Sequence, residues 1–91
     1  LPEMEKMDKV VKEIGTGPCA LCVTPNVLEE AEMILLEKGY QAAEIYATQL
    51  SGVDEQNDLS RALEICQKEG LGLQNAAKIV KSLTVIRSGE W

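Results

Sequence analysis

A chain of 91 residues, 45% apolar but only 3% aromatic and without phenylalanine, has room for one domain, and its core must be aliphatic. Fifteen acidic against nine basic residues leave a net charge of −6, and no cluster of lysine and arginine interrupts it. That balance argues against the basic face that phosphate binding requires and against adhesion to an anionic membrane, and it favours a basic patch on another protein.

No apolar run approaches the roughly 20 residues that span a bilayer. There is no histidine, which removes imidazole-based triads and general bases, and the three cysteines, Cys19, Cys22 and Cys66, cannot close a disulfide framework among themselves. Without a secretory signal, a reducing compartment is expected, cytoplasmic or nuclear. The start at Leu1 and the end at Trp91 suggest a piece of a longer protein.

Pro2 to Ile14 is predicted to be helical. Pro2 suits a first-turn position, Glu3 and Glu5 suit the positive helix end, and Met4, Met7, Val10, Val11 and Ile14 recur at helical spacing. Gly15 and Gly17 end it. Cys19 to Val23 is a short apolar piece between turn-forming residues and fits a helical turn against the core. Asn26, with Glu29 three residues on, reads as the cap of the next helix. Its inward residues are Val27, Leu28, Ala31, Ile34 and Leu35, with Met33 a further candidate, and Gly39 serves as a left-handed C-cap.

Ala42 to Leu50 is a short helix with Ala43, Tyr46, Ala47 and Leu50 on one face and Ile45 beside it. Ser51 to Asn57 is a polar connection. Asp58 is a suitable N-cap for Leu59 to Glu69, whose Leu59, Ala62, Leu63 and Cys66 form a stripe flanked by Ile65. Gly70 and Gly72 break the chain, and Asn75 to Leu83 is the last helix, with Ala76, Ile79, Val80 and Leu83 inward. The tail from Thr84 to Trp91 either extends that helix or lies across the surface; Trp91 reads as a free end or as an interface anchor. No strand alternation is sustained.

Lys38-Gly39-Tyr40, the short helix after it, and Asn57-Asp58-Leu59-Ser60-Arg61-Ala62-Leu63-Glu64-Ile65-Cys66 together resemble a ubiquitin-associated (UBA) domain, in which a Gly-aromatic loop follows the first of three small helices. The resemblance runs from about residue 26 to 69. It implies an all-α bundle, a UBA-like three-helix core with extra N- and C-terminal helices, and a non-catalytic module that binds ubiquitin, a ubiquitin-like domain or a partner helix. Carried over by position, the partner-binding patch comprises Lys38, Gly39, Tyr40, Ile65 and Cys66, with Glu69 at its rim. Two departures stand out: Lys38 occupies a position where the family commonly has an apolar residue, often Met, and the connection from Ser51 to Asn57 is longer than usual. A UBA-like fold turned towards another protein surface would account for both.

Other readings compete. Cys19-x-x-Cys22 has the spacing of two zinc ligands or a dithiol, but only Cys66 remains as a further thiolate and no strand precedes the pair, so small core cysteines are the better expectation and no cofactor is assigned. Glu29, Glu30, Glu32, Glu37 and Glu44 read as a charged outer face. Gly70-x-Gly72 lacks the strand and lysine of a phosphate loop. An enzyme is not expected. A death-fold-type adaptor that self-associates through charged faces is the alternative, and six helices in a chain of this length would favour it.

Overall fold

The computed structural model describes residues 2–16, 23–50 and 57–89. They form six helices: α1 (Pro2–Gly15), α2 (Pro25–Lys38), α3 (Tyr40–Thr48), α4 (Asp58–Lys68), α5 (Leu73–Lys81) and α6 (Leu83–Ser88). The protein is an all-α small bundle, with no strand among the described residues. None of these helices is long and apolar enough to cross a membrane.

α2 packs most extensively against α5 and α3; α4 lies against α3, α1 and α5, and α1 also meets α6. Two fixed points show that α2 and α5 run antiparallel. Pro25 and Leu28 share a groove with Lys81, and Tyr40, just beyond the other end of α2, bonds to Leu71, just ahead of α5. The interior is aliphatic, as composition requires. Val10, Ile14, Leu35, Leu59, Leu63, Ile79, Val80 and Leu83 are its largest fully buried apolar side chains, joined by the fully buried Ala31, Ala43, Ala47, Ala62 and Ala76. Each fully buried aliphatic side chain contributes about 1.5–3 kcal/mol.

The helix ends differ from expectation in instructive ways. The cap of α2 is Thr24, not Asn26: its Oγ1 accepts from the Val27 N–H at 3.3 Å, and Pro25 takes the first-turn position where its missing N–H costs nothing. The cap of α4 is Asn57, not Asp58. Asn57 Oδ1 accepts from Ser60 N–H at 2.8 Å while Ser60 Oγ accepts from Asn57 N–H at 3.1 Å, a reciprocal capping box. Asn57 is buried, and its Nδ2 also donates to the Ala47 carbonyl at 2.8 Å, which ties the start of α4 to the end of α3. A tertiary bond of this kind selects Asn over Asp, because a carboxylate cannot donate.

Gly39 has positive φ, as expected of a helix stop, but its ψ of −175° is extended rather than left-handed helical. A single residue thus ends α2, by donating to the Leu35 carbonyl at 3.0 Å, and begins α3 two residues earlier than the predicted Ala42. Extended ψ at φ 90° is a region reserved to glycine. The predicted last helix is two: Ser82 separates α5 from α6, and the β-branched pair Val85-Ile86 lies in α6 with Ile86 buried. The proposed helical turn at Cys19 to Val23 lies almost wholly outside the described residues, as do Cys19, Cys22, most of the connection before Asn57, and Trp91.

Candidate partner-binding surface

The six predicted patch residues are divided between surface and interior, and of them Tyr40 and Cys66 are brought together, both bonding to Leu71. Lys38 is exposed, and Gly39 and Tyr40 are half-buried. Ile65 is only 7% exposed and Cys66 not at all, so their side chains belong to the core rather than to a partner-facing patch. Beyond α3, α1 and α5 also pack on α4. Burial also pushes the Cys66 thiol up to about 12, which makes it an inert apolar side chain at neutral pH.

Tyr40 has a structural task as well as an exposed edge. Its ring packs against the core, and its hydroxyl donates to the Leu71 carbonyl at 2.8 Å, linking the start of α3 to the segment before α5. Burial, with Cys66 and Glu3 nearby, raises its phenol above the ordinary range, so it remains a donor. Glu69 is held by Lys9 of α1, with Nζ 3.2 Å from Oε2, and is mostly covered. Glu3 continues this link between α1 and the α4–α5 turn: its Oε1 accepts from Asn75 Nδ2 and from Gly72 N–H, each at 3.0 Å, and these bonds lower its pKa.

The opposite end of α1 is closed by two arginines. Arg61 donates to the Ile14 carbonyl at 3.2 Å and to Glu13 O at 3.0 Å; Arg87 donates to Ile14 O at 3.1 Å. These are terminal carbonyls that α1 cannot satisfy internally. Arg87 Nε also lies 3.3 Å from Asp58 Oδ2. Asp58 is 1% exposed, and neither carboxylate oxygen accepts a well-formed hydrogen bond. The interaction is therefore charge against charge. Burial raises the Asp58 pKa in spite of Arg87 and Arg61. Neither this cluster nor the tertiary role of Asn57 has a local pattern in the sequence.

What remains open to solvent is apolar at unexpected places. Met33 is 49% and Leu36 46% exposed on α2, Ile45 is exposed on α3, and Met4 and Leu73 are exposed near the Glu3–Gly72 link. Met33 was a candidate for the core; it lies off the stripe that Leu28, Ala31 and Leu35 bury. Leu36 belongs to the last turn of α2, two residues before Lys38, and it gives the loop an apolar neighbour that the patch residues did not include. No family model, curated protein or solved structure matches the chain in comparison.

Proposed function

We propose that the chain is a non-catalytic protein-interaction module of UBA-like type, which meets ubiquitin, a ubiquitin-like domain or a partner helix at the α2–α3 junction. The observation that carries this reading is Gly39, whose φ of 90° and extended ψ turn α2 directly into α3 and set an aromatic residue beside the turn. Lys38 is exposed at the lip of this turn, and Leu36 exposes an apolar side chain in the same helical turn. With Ile65 and Cys66 interior, the surface centres on Leu36, Lys38, Gly39 and the exposed edge of Tyr40. Such a surface is small, so modest affinity is expected.

Titration of ubiquitin into the isotope-labelled chain, followed by NMR, tests the reading. Localised shifts at Lys38, Gly39 and Tyr40 support it; an unchanged spectrum at about 1 mM ubiquitin removes ubiquitin itself as ligand. A second reading draws on the helix count. Six helices among the described residues match the number that favours a death-fold-type adaptor, which would self-associate through charged faces. Sedimentation at low and high salt separates the two: the adaptor assembles with salt-sensitive strength, and the UBA-like module stays a monomer.

A further inference from the structure

α2 exposes two large apolar side chains, where each of the other helices exposes at most one. In α4 and α5 the buried residues lie on one side and the outward sides are mostly polar. In α2 the buried stripe is Leu28, Ala31 and Leu35, yet Met33 and Leu36 stand about half-exposed outside it. They are three residues apart and so adjacent on the helix surface. Glu29 and Glu37 lie four residues before and after Met33, and Glu30 three before, which places three exposed carboxylates around the same two apolar side chains. Among the described residues no ion pair engages any of the three. Glu29 also borders a groove of about 360 Å³ between α2 and α5, shared with Glu32 and Lys81, so the face continues into a recess.

From this arrangement we infer that the outward face of α2 is a docking surface for an amphipathic α-helix of a partner protein, with two apolar side chains seated on Met33 and Leu36 and lysines or arginines opposite Glu29, Glu30 and Glu37. The charge pattern selects the occupant. A second copy of the chain would set three carboxylates against three, and an anionic membrane would be repelled in the same way. A basic helix meets opposite charge at the rim and apolar contact at the centre, the usual division of an interface. The inference deepens the interaction-module reading by naming a partner class; it shares Leu36 with the Gly39 surface but extends away from it over Glu29, Glu30 and Met33, and it stands without the UBA resemblance.

The probe is a synthetic peptide of leucine, lysine and alanine whose leucines fall on one helical stripe, titrated into the full labelled chain. Shifts should concentrate at Glu29, Glu30, Met33, Leu36 and Glu37. The affinity should fall about tenfold or more in Met33→Ser/Leu36→Ser and again in Glu29→Lys/Glu30→Lys/Glu37→Lys. All five positions are exposed, and circular dichroism verifies that both variants keep the fold. A peptide of the same composition with the stripe scrambled should bind weakly, and one with glutamate for lysine should not bind. The inference is overturned by no shifts at about 1 mM peptide, by shifts centred elsewhere, by equal binding of the scrambled or glutamate peptide, or by self-association that Met33→Ser/Leu36→Ser abolishes. Because ubiquitin is read out at Gly39 and Tyr40 and the peptide at Glu29, Glu30 and Met33, failure of one leaves the other visible.

Discussion

At the corner where α1, α4 and α6 meet, the long polar side chains are bound inward. Arg61 and Arg87 each reach carbonyls at the end of α1, and Arg87 faces the buried Asp58. On the outward face of α2 the arrangement reverses: Glu29, Glu30 and Glu37 stand in solvent around Met33 and Leu36. Charged residues do different work in the two places. At the corner they satisfy backbone groups that packing has removed from water, so their loss is felt as instability. On α2 they engage no partner among the described residues, so their loss should be felt only when a partner is present.

Substitutions in the two regions should therefore part company in stability. The largest effect is expected in the interior: Leu63→Ala should cost about 2–5 kcal/mol, whereas Met33→Ala should stay within about 0.5 kcal/mol of wild type, both read by urea denaturation. A Met33→Ala loss as large as that at Leu63 would mean that Met33 is packed after all.

The two helix caps sharpen the same contrast. Asn57→Ala removes a cap and the buried bond to the Ala47 carbonyl, which keeps only backbone donors, for about 2 kcal/mol; Thr24→Ala removes an exposed cap alone, for about 1 kcal/mol or less. Equal losses would contradict the tertiary role of Asn57. Gly39→Ala should cost about 1–3 kcal/mol through the backbone alone, since no atom lies within 4 Å of an added methyl. Gly89 is equally open but lies in the left-handed helical region, where Asn is tolerated, so Gly89→Asn should be nearly silent.

Much of the fold was legible because helix periodicity is local. The stripes of α4 and α5 were read correctly, since Leu59, Ala62, Leu63, Cys66, Ala76, Ile79 and Val80 repeat at helical spacing and are buried. The break between α5 and α6 was not, because Ser82 is an ordinary residue and only the geometry of the turn separates the helices. The candidate patch was legible in part. Gly39 announced the turn, but the burial of Ile65 and Cys66 follows from α4 being packed by several helices at once, which local spacing does not show. Asp58 could pass for a cap from sequence alone; its neighbour Asn57 takes that place because it can both accept from Ser60 and donate to Ala47. The apolar outer face of α2 left a readable signal: Met33 and Leu36 fall off the Leu28, Ala31 and Leu35 stripe.

The smallest expected effect is in pH dependence. Burial raises the Asp58 pKa in the folded protein, so its contribution is fully favourable below the ordinary carboxylate range and is lost as pH rises through the raised value. Glu3 acts in the opposite sense: bonds from Asn75 and Gly72 lower its pKa, so its contribution is present above the ordinary range and fades as pH falls. Asp58→Asn should therefore lessen the decline in stability on going from acid to neutral pH, and Glu3→Gln should lessen the decline on going into acid. Thermal melts across that range measure both, and identical pH profiles for the two variants would show that the corner and the α1 start are not distinguished in this way.

Tyr40→Ala cannot separate binding from folding, because the ring packs on the core and the hydroxyl holds Leu71. Lys38 is exposed, and exchanging it alters the surface alone. The most direct test of the account is thus a paired NMR titration of ubiquitin into the wild-type chain and Lys38→Met. The account predicts shifts at residues 36–40 in both, tighter binding in the variant where an apolar side chain replaces the charge, and no shifts at Arg61 or Arg87. Unchanged or weaker binding in a folded Lys38→Met variant, or shifts centred on the arginine corner, would contradict it.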